Sequence, residues 1–153
     1  MMGRTHMAFG FLAGMLTYPL LGANWMLFLP LAVLGSLVPD VDSENSKINR
    51  MLPITRWIPK FFQHRGFFHS LFAVAILYIL FYAANLKTIG LPIAIGYAAH
   101  LASDCLTQNG CNLLHPISNF RISGFVRTDG AMELLVMGAA IFADALLVVK
   151  HFL

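Results

Sequence analysis

"FFHSLFAVAILYILFYAA", residues 67–84, decides the fold class. Its 18 residues contain no acid, no Lys or Arg, and no Gly or Pro. A helix rises ~1.5 Å per residue, so this run alone nearly covers a hydrocarbon core of ~30 Å. Two further apolar runs, 89–106 and 131–149, reach the same length. Two shorter ones, 7–21 and 24–38, carry Pro19 and Pro30, which favours tilted, re-entrant or bundle-packed segments. The composition agrees: 58% of residues are apolar and 11% charged, with mean hydropathy +0.72, whereas soluble domains run near ~25% charged. The expected fold is an all-α, polytopic membrane helix bundle of four to five helices, one domain over 1–153. A cleavable leader at Arg4–Ala23 is disfavoured, because Pro19 lies beside the would-be cleavage position and more apolar runs follow.

Two polar stretches, 39–66 and 107–130, separate these runs. In the first, Trp57, Phe61 and Phe62 are interleaved with Arg56 and Lys60, a pattern suited to lipid headgroups. Positive residues favour cytoplasmic loops. With all five runs crossing and the N-terminus inside, Arg4, Lys47, Arg50, Arg56, Lys60, Arg65, Arg121 and Arg127 lie on the cytoplasmic side, and only Lys87 and Lys150 outside.

The same topology gathers the chemistry. His6 begins the first run, Asp40 and Asp42 end the second, His64 and His69 introduce the third, His100 and Asp104 fall late in the fourth, and Asp129 and Glu133 begin the fifth. Every one reaches the cytoplasmic layer, while Asp144 and His151 alone lie on the other side. Ionisable groups in a span are costly unless paired or ligated, so residues drawn from five elements into one layer read as a built site.

The local motifs carry bland readings as well. In "HLASD", residues 100–104, His100 and Asp104 share a helical face at i and i+4 and can reach one metal; alternatively they make an interhelical hydrogen bond. In "VPDVD", residues 38–42, the acids can ligate a cation or accept a proton, or simply end a helix in a solvated turn. His6 in "GRTHMAFG" is a ligand or an exposed arm residue. Glu133 is a ligand, a general base or a helix-start charge; Asp129 reads as a cap. His64 and His69 are five residues apart, ~140° around a helix at ~100° per residue, so both cannot face one ion from a continuous helix. That makes His69, on the first turn of the helix, the better ligand and turns His64 and Arg65, before it, toward substrate or a second metal. His115, before Pro116, reads as structural or substrate-facing. Cys105 and Cys111 lack CxxC spacing, so no thiolate zinc site is expected. There is no phosphate-binding Gly loop and no GxSxG elbow, and nucleic acid is not an expected partner.

The ordered set "THMAFG", "GSLVPDVDSENSKINR", "HRGFFHSL" and "GYAAHLASDCLTQNGCNLLHPIS" resembles the YdjM-like family of bacterial inner-membrane proteins regarded as metal-dependent hydrolases. That family is in turn similar to the zinc-dependent phospholipase C group, in which a His, an Asp, a His and an HxxxD pair contribute to a multi-zinc site. The resemblance points to His6, Asp40 or Asp42, His69, His100 and Asp104, and places His64 and Arg65 in an HRG motif. The phospholipases also have a later HxxxE pair; here Asp129 stands four residues before Glu133, which argues for one or two metal ions rather than three.

The function expected is a membrane-bound metal-dependent hydrolase at the cytoplasmic face of the inner membrane, acting on a phosphoester or lipid-like substrate through a metal-activated water. His6, Asp40, His69, His100 and Asp104 would hold a divalent metal, zinc first; Asp42 and Glu133 would handle protons; His64 and Arg65 would bind substrate. The alternative is a non-catalytic membrane protein with a structural or sensing metal. Transport is disfavoured, because the polar residues gather on one side instead of spanning the depth.

Overall fold

The computed structural model describes residues 1–43 and 66–153. Five α-helices form the described fold: α1 Gly3–Thr17, α2 Trp25–Gly35, α3 Leu71–Ala83, α4 Lys87–Cys105 and α5 Ala131–Phe152. Short 3₁₀ turns at Pro39–Asp42 and Phe67–His69 follow α2 and precede α3. No strand is present among the described residues, and the loop between α4 and α5 is pinned by isolated bridges, Thr107 with Val126 and Cys111 with Ile122. By length and composition, Trp25–Asp42 and Ala131–Phe152 can cross a membrane; Leu71–Ala83 is apolar but shorter.

Local chemistry sets the boundaries. Asn24 caps α2 by accepting the Met26 N–H at 2.9 Å, and Ser70 caps α3 by accepting that of Ala73 at 3.3 Å. The Ser70 cap corrects one expectation. His69 does not lie on the first turn of a helix beginning at residue 67, because Ser70 is extended and α3 starts only at Leu71. α1 begins at Gly3, earlier than hydropathy indicated, since Arg4 and Thr5 are polar yet helical; His6 is therefore a helix residue with no exposure, not part of an arm. Asp129 is not a side-chain cap: the N-cap of α5 is Gly130, and Asp129 takes φ 61°.

α1, α2 and α4 pack on one another, with α5 on the outer side of α1 and α3 beside α4. The closest approach joins α2 and α4. A β-carbon on Gly96 would run into the Ala32 carbonyl, and one on Gly35 into the Ile93 backbone. Glycine permits this backbone contact, as small residues do at membrane helix interfaces. Met15, Tyr18, Phe28 and Leu29 fill the core away from the polar layer, and Ala73, Tyr97 and Leu101 the core beside it.

Candidate metal centre

His6, Asp40, Asp42, His69, His100 and Asp104 come together from four separate elements. The start of α1 supplies His6, the turn after α2 the two aspartates, the turn before α3 His69, and the last turns of α4 His100 and Asp104. The side chains of His6, His69, His100 and Asp104 are 0–1% exposed, whereas that of Asp40 is 18% exposed.

Hydrogen bonds at Nδ1 orient all three rings. His100 Nδ1 faces the Ser36 carbonyl oxygen at 2.7 Å, so it donates. His69 Nδ1 faces Asp42 Oδ2 at 3.2 Å and donates likewise. His6 Nδ1 lies 2.8 Å from Ser103 Oγ, whose own proton goes to the His100 carbonyl at 2.8 Å, so the serine oxygen accepts from His6. With its proton on Nδ1, a neutral imidazole carries its lone pair on Nε2, the arrangement of a metal-ligating histidine.

The Nε2 atoms turn inward. Those of His69 and His100 are 3.3 Å apart. Two such lone pairs cannot hydrogen-bond to each other, but a shared cation satisfies both. Nitrogens ~2.0–2.1 Å from a tetrahedral zinc stand ~3.3–3.4 Å apart. Asp104 Oδ2 is 3.6 Å from His69 Nε2 and 3.8 Å from His100 Nε2, and Asp40 Oδ1 lies 4.0 and 3.8 Å from the same two atoms. His6 stacks on His100 with centroids 3.7 Å apart and brings Nε2 to 3.6 Å from Asp104 Oδ1. His6, His100 and Asp104 form one group of ligand spacing, and Asp40, His69 and His100 a second. Asp104 already accepts a cation here, the Met1 ammonium, at 2.6 Å from Oδ1. Donor types, ring orientations and spacing thus fit a divalent ion.

Not every expected residue joins the cluster. Glu133 is buried, but Oε1 accepts the Met2 N–H at 2.5 Å and the Thr5 hydroxyl at 2.8 Å, and Oε2 accepts the Asp129 N–H at 2.7 Å. Asp42 holds the outer nitrogen of His69 and does not stand on the inner side. His64 and Arg65 lie outside the described residues. His115 belongs to the loop after α4, and His151 lies at the far end of α5 beside Tyr18. Sequence reasoning missed Ser36 and Ser103, because one acts through its backbone carbonyl and the other is an ordinary helix serine. The place of Ser103 between His100 and Asp104 in "HLASD" was the only available signal. It also missed Tyr97, whose hydroxyl donates to the Phe68 carbonyl at 2.6 Å and so ties the His69 turn to α4.

Comparison with known proteins gives the family. The uncharacterized protein YvsG of Bacillus subtilis (strain 168) is 31% identical over 148 residues, covering 94% of this chain and 92% of that protein. The inner membrane protein YdjM of Escherichia coli (strain K12) is 36% identical over 123 residues, covering 75% of this chain and 63% of the relative; YdjM of Shigella flexneri matches equally. No solved structure matches. The family profile described as YdjM inner membrane protein matches residues 1–151, and the chain belongs to that family.

Proposed function

We propose that this membrane protein is a metal-dependent hydrolase, acting at the cytoplasmic membrane face on a phosphoester carried by a lipid or lipid-like molecule. The observation that carries the reading is the pair of inward Nε2 atoms on His69 and His100, 3.3 Å apart, with Asp104 Oδ2 within 3.8 Å of both. Three protein ligands with an open fourth position is the catalytic pattern for zinc. When bound, a divalent ion supplies Lewis acidity, lowering the pKa of water and polarising a phosphoryl oxygen. Asp40 accepts the proton: it is the carboxylate of the cluster with an exposed edge, near both inner nitrogens. Asp42 holds the His69 ring, so the two aspartates divide the roles of base and support.

A second reading has one specific observation in its favour. His6, His69, His100 and Asp104 are almost wholly buried, as in a structural site. One experiment separates the two. Detergent-purified protein is titrated with zinc and assayed with a chromogenic phosphodiester. Asp40→Asn should retain zinc and lose turnover, while Asp42→Asn should weaken zinc ~10–100-fold, the usual effect of losing an outer-shell partner. Wild-type protein that binds zinc but turns over no phosphodiester supports the structural reading; a chain that binds no zinc sinks both.

The orientation belongs to the same proposal. The excess of Lys and Arg in the 39–66 and 107–130 stretches of the sequence supports an orientation with the metal layer inside. A cysteine introduced at Ser46, in a background with Cys105 and Cys111 replaced by serine, should resist an impermeant maleimide in intact cells and react after lysis. Labelling in intact cells reverses the orientation.

A further inference from the structure

Among the described residues, Glu133 is the one buried acid of the polar layer that this function leaves without a task. It has no exposure and sits in the first turn of α5. Its carboxylate receives three donors from two helix starts: the Met2 N–H and Thr5 hydroxyl on Oε1, and the Asp129 N–H on Oε2. The first turn of α1 has no acid of its own, and its N-cap, Met2, has no side-chain cap. A helix start leaves orphan N–H groups and a partial positive charge, both of which want an anionic acceptor. Glu133 provides that acceptor from a different helix. Thr5, which it grips, immediately precedes His6 in α1, and His6 faces Asp104 and stacks on His100.

We infer that Glu133 is a positioning residue: it caps α1 from across the bundle and thereby aims His6 at the metal centre, serving neither as ligand nor as general base. This inference rests on the metal reading, but a metal-independent measurement can test it separately. A capping carboxylate acts through His6; a ligand or a base acts without it. The geometry also accounts for why Glu133 lies in the polar layer although its oxygens are turned to backbone and hydroxyl donors. Asp129, held by Oε2, couples the start of α5 to the same carboxylate, so both helix starts depend on one side chain.

The test is a double-mutant cycle on zinc affinity with Glu133→Gln and His6→Ala. Gln retains one acceptor oxygen but offers an NH₂ to groups that are themselves donors, so the cap is impaired. Glu133→Gln should weaken zinc ~10–100-fold in the wild-type background, the range for lost supporting partners, and by less than about twofold in the His6→Ala background. Thr5→Val, a milder change, should weaken zinc in the same direction and keeps the question open to measurement if Glu133→Gln does not fold. An equal loss with and without His6 overturns the inference, as does unchanged zinc affinity with abolished turnover, which identifies a base. If wild-type protein binds no zinc, the metal reading fails and the ¹⁵N spectrum of the metal-free histidines decides. Glu133→Gln should then shift the His6 ring signals and leave those of His69 in place. Unmoved His6 signals overturn the positioning role.

Discussion

Replacing either His69 or His100 by alanine should abolish the proposed zinc binding; His115→Ala and His151→Ala should leave it unchanged. The expected loss exceeds the ~10–100-fold typical of a supporting residue, because each change would remove a ligand atom from the proposed centre. His69 and His100 both bring Nε2 to the same point, with Nδ1 held on Asp42 and on the Ser36 carbonyl. His115 lies in the loop beyond α4, and His151 at the opposite end of α5, so they share the residue type without the geometry. Competition against a fluorescent chelator gives the affinities. Thermal unfolding gives an independent reading: a ligand at ~100 times its Kd stabilises the folded state by about 2.7 kcal/mol. Zinc should raise the midpoint of wild-type, His115→Ala and His151→Ala proteins and leave His69→Ala and His100→Ala where they were. If the two loop and far-end variants lose zinc as well, the ion binds elsewhere and the assignment of the centre is wrong.

The convergence of these His and Asp side chains was readable from order and charge alone. Apolar runs alternate in direction, so residues at the start of the first, the end of the second, the start of the third and the end of the fourth must meet, and His6, Asp40, His69, His100 and Asp104 do. The i, i+4 spacing of His100 and Asp104 brings His100 Nε2 and Asp104 Oδ2 to 3.8 Å. What the residues could not disclose was which way a side chain turns within that layer. Asp40 and Asp42 are two positions apart in a turn, and only the fold sends one to the inner nitrogens and the other to the back of His69. Glu133 shared the polar layer, but its hydrogen bonds to Met2 and Thr5 cross between helices more than a hundred residues apart in sequence. Helix ends shifted for a related reason. Hydropathy cannot see a cap, so it ran α3 back through His69 to residue 67 where Ser70 starts the helix, and it left out the polar first turn of α1.

The glycines of the α2–α4 crossing should be as sensitive as the ligands themselves. Gly96→Ala is expected to destabilise the fold by about 3 kcal/mol or more, the upper part of the range for overpacking, because the new methyl meets backbone and no flexible side chain can yield. Its β-carbon would collide with the Ala32 carbonyl and crowd the Ser36 amide; Gly35→Ala would meet the Ile93 backbone from the other side. The damage reaches the metal centre through one bond. Ser36 is the residue whose carbonyl holds His100 Nδ1 at 2.7 Å, and Gly96 lies one turn before His100 on α4. Separating the helices therefore loosens the ring just where its lone pair is aimed. Gly138 is the control: a β-carbon there meets nothing within 4 Å, on an exposed position of α5. Gly138→Ala should be neutral or stabilising by up to ~1 kcal/mol, since alanine restricts the unfolded chain and suits a helix better. Unfolding in mixed detergent micelles measures all three variants, and zinc titration of whatever remains folded reads the coupling. A Gly96→Ala protein as stable as Gly138→Ala would mean that the close crossing of α2 and α4 does not set the fold. One of normal stability with weakened zinc would mean that the crossing serves the metal centre alone.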